Sequence, residues 1–461
     1  MTADAARVAD HVAGARFEDL PPEAVAKVKT FLLDTIGVGV AGSSGAGVGD
    51  LIRVAASWGT GDEATVWNSG ERLSAQGAAI VNAYQIHCLE YDCVHEGAVL
   101  HPMATVLSAV LAWVEREAAR GRKVGGRDLI AALSAGVDVS TMLGLATRAP
   151  IRFFRPATAG GFGAAAAIAR LAGMDARGVL DTLGAQYAQA SGTLQPHVEG
   201  SPMLGMQVGF NAAAAIRSAD LAAAGFRGPH DFLTGRYGYL PLLEGNYDLE
   251  PVLATLGKTR QILAMSHKPW PSGRLTHGAI DGLGQLMARH GFTGGDVAGV
   301  SVKLPPLNFR LVGRPDIPDP PVNYAKLCLR FVAGALLARG RVDIGEFREA
   351  ALTDPEIHRI AALVDVIEDK ENADPNAFDP QTVTVRLHSG ARHDITLARV
   401  YGHPDVPLSD AENEDKFRRC LSFARQPLSP ARARAIADAV AGIEASEDVA
   451  NLAALTVAGS P

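Results

Sequence analysis

Apolar side chains recur at helical spacing through most of the first half of the chain. A Pro-Pro-Glu sequence at 21–23 marks a helix start, and Val25, Val28 and Ile36 follow it as an apolar stripe. The same spacing predicts further helices, rich in alanine and glycine, at 104–118, Gly126–Ala146, 162–172, 176–191 and 206–224. The pattern therefore predicts a closely packed, all-helical bundle from residue 2 to about residue 225.

The pattern changes to alternation after residue 268. Alternating apolar and polar positions predict strands at Val297–Leu304, 382–387 and 391–397. Helical spacing predicts further helices at 324–339, 354–363, 410–424 and 430–444. The sequence thus predicts a mainly α protein with an α+β part: a discontinuous helical domain of residues 1–267 and 404–461, and a smaller α/β domain of residues 268–403. A cleft between two such domains is a preferred place for a ligand site.

Composition narrows the class of protein. A net charge of −7 without any basic run gives no general attraction to nucleic acid or to an anionic membrane. The N-terminus lacks the basic start and apolar run of a signal peptide. The most apolar stretch, 129–146, contains Asp138 and indicates a buried helix rather than a membrane span. Four cysteines without zinc-like spacing indicate free thiols, so we expect a soluble, cytoplasmic protein.

Residues 85–103 carry an unusual density of acid and base groups between apolar helices: His87, Glu90, Asp92, His95, Glu96 and His101. Such groups are kept near a core when they are paired or perform chemistry, and histidine transfers protons near neutral pH. His101 precedes Pro102 at a predicted helix start, which favours an anionic substrate and a neutral imidazole. One alternative is a metal site formed by these groups other than Glu96, although their spacing fits no standard zinc motif. The other is a structural set of hydrogen-bonded groups.

Two further clusters are candidates for binding a substrate. The segment SHKPWPSGRLTH at 266–277 lies at the predicted domain crossover, and its Lys268 and Arg274 are suited to carboxylates. A proline-rich hinge with solvated charges is the alternative for this segment. Arg155 stands ahead of a small-residue helix, where it would hold an anion. An ordinary surface position is the alternative for Arg155.

Six longer motifs extend over almost the whole chain. They are VKTFLLDTIGVGVAG at 28–42, the acidic stretch ending in His101-Pro102, GFGAAAAIARLAGMD at 161–175, AAAGFRGP at 222–229, KPWPSGRLTHGAID at 268–281 and GHPDVPLSDAENEDKF at 402–417. With these motifs the sequence resembles the MmgE/PrpD family, which includes 2-methylcitrate dehydratase, cis-aconitate decarboxylase and iminodisuccinate epimerase. The resemblance implies a helical domain with an α/β lid domain, a homodimer, and chemistry that needs no metal or organic cofactor.

The resemblance also implies roles for individual residues. Family dehydratases and decarboxylases have an Asp-aromatic-Asp-Asp-Thr run before the His-Pro pair, whereas this chain has Glu-Tyr-Asp-Cys-Val at 90–94 and so lacks two polar members. His101 matches the family's histidine, and Lys268 matches its lysine at the crossover. Arg155 stands near the position of a second family histidine. Leu204 and Gln207 stand where the family has a lysine and a nearby histidine.

The resulting hypothesis is a lyase that moves a proton at a carbon next to a carboxylate of a small di- or tricarboxylic acid, as a 2-methylcitrate dehydratase-like hydro-lyase does. The expected catalytic residues are His101, Glu90, Asp92, Lys268 and His277. The expected substrate-binding residues are Arg155, Ser272, Arg274, Tyr91 and His95. An epimerase or decarboxylase of a related acid is the alternative, because it needs fewer acid groups and fits the missing lysine. A non-catalytic metabolite-binding relative is disfavoured, because so many polar site residues are kept together.

Overall fold

The computed structural model describes residues 3–459 and shows a mainly helical protein with one larger sheet. The outermost residues of the predicted helical domain, 1–2 and 460–461, lie outside the described residues. The helices of the first half are α1 (Ala3–Ala13), α2 (Pro22–Gly42), α3 (Val48–Ser57), α4 (Ala75–His87), α5 (Pro102–Ala119), α6 (Gly126–Ala146), α7 (Arg155–Leu171), α8 (Ala176–Tyr187), α9 (Gln195–Glu199), α10 (Met203–Ala223) and α11 (Glu250–Thr255). The predicted fold class, mainly α with an α/β part, is confirmed.

Small residues allow these helices to pack closely, as their composition predicts. Helix α7 lies against α5, α6 and α10 at the centre of the bundle. A Cβ atom at Gly136 of α6 would lie 2.7 Å from the backbone oxygen of Gly163 in α7, and one at Gly163 would lie 2.4 Å from that of Gly136. Helix α6 is long and apolar enough to cross a membrane, but 94% of its apolar window is buried inside the protein. It is packed as a core helix.

The second half contributes the sheet and its covering helices. The helices are α12 (His277–His290), α13 (Pro306–Val312), α14 (Val322–Lys326), α15 (Leu329–Arg339), α16 (Glu349–Leu352) and α17 (Pro355–Ala361). The strands β5 (Val297–Leu304), β6 (Val364–Glu368), β7 (Gln381–Leu387) and β8 (Arg392–Leu397) form a sheet in the order β6-β5-β7-β8. Strand β6 pairs parallel with β5, and the other pairs are antiparallel.

The last helices return to the first half of the chain: α18 (Asp410–Phe423), α19 (Pro430–Ala441) and α20 (Asn451–Leu455). Lys416 of α18 forms a buried ion pair with Asp34 of α2 at 2.6 Å. One hydrophobic core is built mainly from residues 5–265 and 417–453, and a second mainly from residues 275–385. The boundaries at residues 268 and 403 stay predictions.

Short strands bring the polar stretch to the crossover segment. Strands β1 (Ala64–Thr65) and β2 (Arg72–Leu73) pair with each other, and β3 (Val94–His95) pairs antiparallel with β4 (Met265–Ser266). The second pairing places Val94 opposite Ser266, so residues 85–103 and 266–277 lie side by side although about 170 residues separate them. The fold thus joins the two polar segments that the sequence singles out.

Candidate active site

The polar stretch of residues 85–103 folds as a helix end, a loop and a short strand. Helix α4 ends at His87, strand β3 follows, and His101 directly precedes helix α5. Glu90 lies in the loop with a φ of 52°, the left-handed region in which residues other than glycine are strained. Observed backbone strain of this kind clusters at functional sites, so the loop backbone itself indicates a site.

Asp92 is fully buried and lies between two imidazoles. Nδ1 of His87 donates a hydrogen bond to Oδ2 of Asp92 at 3.0 Å, and Nδ1 of His101 lies 3.3 Å from the same oxygen. The two rings meet edge-on with their centroids 5.2 Å apart. Because Nδ1 of each ring faces the carboxylate, the Nε2 atoms are left for other partners. Nε2 of His87 lies 3.4 Å from Glu90 and makes no hydrogen bond.

The two histidines differ in their charge state. Burial lowers the pKa of His87, but the negative charges of Asp92 and Glu90 outweigh this effect and raise that pKa above its ordinary value. Burial and the nearby Lys268 ammonium lower the pKa of His101. The site therefore shifts His87 towards its protonated form and His101 towards its neutral form. Two imidazoles of opposite tendency could give and take a proton in the same cavity.

The carboxylates beside these histidines are held ionised. Burial alone would raise the pKa of Glu90, but Lys268 and His87 lower it to about 2. Burial also opposes the ionisation of Asp92, but His101 and His87 hold its pKa well below the ordinary range. Both groups are therefore weak bases at neutral pH. Their contacts suit them to orient and charge the imidazoles rather than to exchange protons.

Three buried lysines from later parts of the chain hold this loop. Lys268, from the crossover segment, donates to the backbone oxygen of Glu90 at 3.2 Å and to its carboxylate at 2.8 Å. Lys326 of α14 donates to the backbone oxygen of Cys88 at 2.9 Å. Lys416 of α18 donates to the backbone oxygen of Tyr91 at 3.0 Å. Burial lowers the pKa of Lys326 to about 8. The crossover, the α/β part and the C-terminal helices thus all fix the same loop.

Arg274 reaches the cavity but is extensively paired. Its Nε donates to Glu96 at 2.8 Å, and its Nη1 and Nη2 donate to the backbone oxygens of Tyr401 and Val400 at 2.7 and 2.9 Å. His277 lies beside it, with Nδ1 3.4 Å from Nη1 of Arg274. Burial and the charge of Arg274 hold the pKa of His277 well below its ordinary value. His277 is therefore a neutral, buried neighbour of Arg274 and does not line the cavity.

The cavity between the two parts of the chain has a mixed lining. Its polar side chains are His87, Glu90, His101, His197 and Arg274. Most of the rest is apolar and includes Val99, Ile151, Phe154, Leu204, Val312 and Phe378. The structure therefore brings together the expected residues Glu90, His101 and Arg274 at the cavity, with Asp92 and Lys268 in contact with them.

Arg155 does not join this group, contrary to the sequence-based expectation that it binds the substrate. Its guanidinium is buried and donates to both carboxylate oxygens of Glu244 at 3.0–3.3 Å. Its Nη1 donates to the backbone oxygen of Ala98 at 3.0 Å. The Nε and Nη2 donors that could have bound a substrate carboxylate are therefore already bonded to Glu244. The interpretation of Arg155 as a surface residue is also wrong, because its side chain is 1% exposed.

Three more of the expected binding residues serve the scaffold in this structure and do not line the cavity. The Tyr91 hydroxyl donates to a backbone oxygen at 3.2 Å, and Lys416 lies over its ring. His95 contacts Gln261 through Nε2 at 3.1 Å and accepts a backbone hydrogen bond at Nδ1. The Ser272 hydroxyl bonds to that of a neighbouring threonine at 2.9 Å. Each side chain is committed to a partner within the fold.

Two residues of the cavity had no leading role in the sequence-based prediction. His87 belongs to the dense polar stretch but was not among the expected catalytic residues. Its i, i+5 spacing to Asp92 is the signal that could have paired the two side chains. His197 lies alone in an unremarkable segment. It lines the cavity, and Nη2 of Arg314 lies 2.8 Å from its Nδ1. No sequence signal connects these two distant residues.

A metal ion is the alternative use of the histidine pair. His87, Asp92 and His101 place three potential ligand atoms within 4.8 Å of one another, the donor set of two histidines and one carboxylate. However, His87 already bonds to Asp92, and the Lys268 ammonium lies 3.9 Å from Asp92. A fixed positive charge at that distance opposes a bound cation. The donor set thus fits a proton-transfer pair better than a metal.

Comparison with known proteins assigns the scaffold. The model of the MmgE/PrpD N-terminal domain matches residues 6–252, and that of the MmgE/PrpD C-terminal domain matches residues 270–443. The chain belongs to the MmgE/PrpD family. The boundary between the two matches falls at the crossover segment that the site uses.

Curated relatives of this MmgE/PrpD protein include decarboxylases. The cis-aconitate decarboxylase of Homo sapiens is 26% identical, over 97% of this chain and 93% of that protein. A cis-aconitate decarboxylase-like protein of Aspergillus oryzae is 25% identical, over 95% and 94%. The cis-aconitate decarboxylase of Mus musculus is 24% identical, over 88% and 84%. Together with the family match, these relatives support an enzyme that processes a related acid.

Proposed function

We propose that this protein is a lyase that decarboxylates a small carboxylic acid, with His87 as the proton donor. The observation that carries the proposal is the position of His87, which lines a mostly apolar cavity with Nδ1 3.0 Å from Asp92 and Nε2 3.4 Å from Glu90. These two carboxylates raise the pKa of His87 and so favour its protonated form. Decarboxylation needs a proton for the carbon that loses its carboxylate, and it converts that charged carboxylate into CO2, which is neutral and apolar. The cavity supplies the first and accommodates the second.

The bond changes can be assigned to this cavity. The bond between the carbon and the leaving carboxylate breaks, CO2 departs, and the electron pair moves to the carbon and into an adjoining carbonyl or alkene. Nε2 of His87 then donates its proton to that carbon. His101 is neutral with Nδ1 toward Asp92, so it presents a lone pair to the cavity and does not stabilise the reacting carboxylate. His87 then regains a proton from water, and the negative charges of Asp92 and Glu90 stabilise the imidazolium that forms.

Dehydration is the second candidate, and the neutral His101 specifically favours it. A hydro-lyase needs a base that removes a proton from carbon and an acid that protonates the departing hydroxyl. His101 and His87 meet these needs with rings 5.2 Å apart. Epimerisation by two bases requires groups on opposite faces of one carbon, whereas these two rings share one carboxylate. We rank it last.

The test is a panel of small unsaturated and hydroxylated di- and tricarboxylic acids, followed by proton NMR in deuterated water and by CO2 release. Decarboxylation gives CO2 and one deuteron on the product carbon. Dehydration gives alkene signals without CO2, and deuterium exchange alone indicates an epimerase. A folded protein that binds an acid and performs none of these reactions would overturn the proposal. His87→Gln should abolish turnover and leave binding of the acid measurable.

The assembly belongs to the same proposal. We propose a cytoplasmic homodimer on the family resemblance alone, with no nucleic acid or membrane as a partner. Light scattering coupled to size-exclusion chromatography measures the mass in solution, where a monomer of 48.2 kDa would contradict the dimer.

A further inference from the structure

The cations around the cavity differ in whether they are paired with a carboxylate. Lys326 has no carboxylate partner in the described part of the chain, but its ammonium binds a backbone oxygen and lines a different pocket. Lys268 bonds to the carboxylate of Glu90, and Arg274 bonds to that of Glu96. Arg314 has no carboxylate partner in the described part of the chain. Its guanidinium donates to the backbone oxygen of His197 at 2.9 Å, contacts Nδ1 of the same residue at 2.8 Å, and lies over a tyrosine ring. The positive charge that remains for a ligand therefore lies behind His197.

His197 lies between the guanidinium of Arg314 and the cavity, so the charge of Arg314 strengthens the imidazole as a hydrogen-bond donor. Because an arginine only donates, Nδ1 of His197 must accept from Arg314, and the proton of the neutral ring sits on Nε2. Burial and the charge of Arg314 lower the pKa of His197 to about 3, which keeps the ring neutral. His197 is 7% exposed and lines the cavity. It offers one N–H donor, polarised by the arginine behind it, to one acceptor.

The rest of the lining offers little to further negative charges. Leu204, Val99 and Phe378 are among the apolar side chains there, and Glu90 adds a negative charge of its own. A carboxylate buried against such a surface without a partner is costly. A ligand with three carboxylates would leave at least one of them unpaired.

We infer that His197 anchors one carboxylate of the substrate and that the substrate is a small dicarboxylic acid with an apolar remainder, not a tricarboxylic acid. The inference rests on the proposed function in taking this cavity as the place of reaction. The anchored carboxylate stays in the product, and the second is the one lost near His87. The remaining substituents face the apolar lining.

Unreactive saturated acids test the inference by binding alone. Methylbutanedioate has two carboxylates and a methyl group, and propane-1,2,3-tricarboxylate has a third carboxylate extending from the same position. Calorimetry with the full chain should show methylbutanedioate binding at least about tenfold more tightly. A tenfold difference corresponds to about 1.4 kcal/mol, and an unpaired buried charge costs more than that. Equal or tighter binding of the tricarboxylate would overturn the assigned substrate class.

Matched variants test the anchor. His197→Leu should weaken binding of methylbutanedioate about tenfold or more, since it removes a hydrogen bond to a charged group. His197→Gln keeps an N–H donor and should recover most of the affinity. Leu204→Lys adds a cation to the apolar lining and should improve binding of the tricarboxylate selectively. Circular dichroism and thermal unfolding confirm that each variant is folded.

The outcomes separate this inference from the proposed function. If His197→Leu binds methylbutanedioate as tightly as the unchanged protein, the anchor is wrong even if CO2 is released from other acids. If the binding pattern is as expected but no acid in the panel is converted, the lyase proposal fails and the assigned ligand class stands.

Discussion

Asp92→Asn tests the centre of the proposed mechanism, because it removes a charge and nearly keeps the shape of the side chain. The carboxylate of Asp92 lies 3.0 Å from Nδ1 of His87 and 3.3 Å from Nδ1 of His101. The amide oxygen of asparagine can still accept a hydrogen bond from an imidazole, but it no longer compensates a positive charge. We therefore expect His87 to lose its proton at a lower pH than in the unchanged protein.

The size of the pKa change at His87 follows from its hydrogen bond to residue 92, whose acceptor changes from a charged carboxylate to a neutral amide. Hydrogen bonds to charged groups contribute about 1.5–3 kcal/mol, and neutral ones about 0.5–1.5 kcal/mol. The imidazolium of His87 thus loses roughly 1–1.5 kcal/mol, which is about a factor of ten in its protonation equilibrium. Because His87 donates a proton only when it is protonated, activity falls as pH rises through its pKa. The alkaline limb of kcat/KM should move to lower pH, and kcat at a pH above the limb of both proteins should fall about tenfold.

The pH profile of kcat/KM and NMR of 15N-labelled imidazoles measure this change independently. Asp138→Asn is the matched control, since Asp138 is also buried and lies 3.2 Å from Nε2 of His11 but does not line the cavity. The control should lose stability and keep the alkaline limb in place. An unmoved limb in a folded Asp92→Asn protein, or an equal movement in the control, would refute the assignment of His87 as the proton donor.

Four further outcomes are expected. Lys268→Met leaves Glu90 buried without its cation, so the free energy of unfolding in urea should fall by about 3–5 kcal/mol. Arg155→Met breaks the pair with Glu244 and should cost a similar ~3–5 kcal/mol, yet calorimetry should find the affinity for a bound acid unchanged; weaker binding would restore Arg155 as a ligand residue. Dialysis against a chelator should leave activity intact, and loss of activity with recovery on adding zinc would contradict the proton-transfer interpretation. Burial holds the pKa of His277 well below its ordinary value of 6.5, so below that pH the unfolded chain binds a proton that the folded chain does not. The free energy of unfolding should therefore fall as pH drops below about 6.5, by up to about 1.4 kcal/mol per pH unit from this residue. His277→Gln should reduce that slope, as measured by urea unfolding at several pH values.

The elements that the sequence predicts well are those whose pattern is local. Strand β5 has the predicted bounds, because eight residues of alternation leave little ambiguity. Helix α7 begins seven residues before the predicted start at 162, since its glycines hide the helical pattern. Helix α12 has no counterpart in the prediction. Its Gly282 lowers helix propensity, but a Cβ there would lie 2.7 Å from Val383 of β7, so packing against the sheet requires the glycine.

The break between α14 and α15 and the short strand β6 show the limit of periodicity. The prediction joined 324–339 into one helix, whereas the chain turns at Leu327 and Cys328 so that Lys326 can reach the loop of residues 88–91. Strand β6 has five residues directly after a helix, too few for alternation to stand out. Its pairing with β5 is set by the sheet and not by its own sequence.

In the candidate site, too, the sequence predicts features set by neighbouring residues and misses contacts between residues far apart in the chain. The polar density of residues 85–103 is visible in the sequence, and its density alone indicates a site. The partners that decide each role lie far away: Glu244 follows Arg155 by 89 residues, and Arg314 follows His197 by 117. Sequence patterns over short windows cannot supply such pairs. For this reason the prediction assigned Arg155 to the substrate and overlooked His197.

The three lysines that hold the loop of residues 88–91 show how the position of the candidate site is fixed by the rest of the chain. Each lysine comes from a different part of the chain, and each donates to a backbone oxygen that any residue would provide. The loop position is therefore independent of most of its side chains. We therefore expect that substitutions at Cys93 and Val94 leave Glu90 and Asp92 in place. Lys326 belongs to the α/β part and donates to the backbone of residue 88, next to His87. Moving the α/β part away from the helices would remove this bond, so the position of the loop depends on the contact between the two parts of the chain.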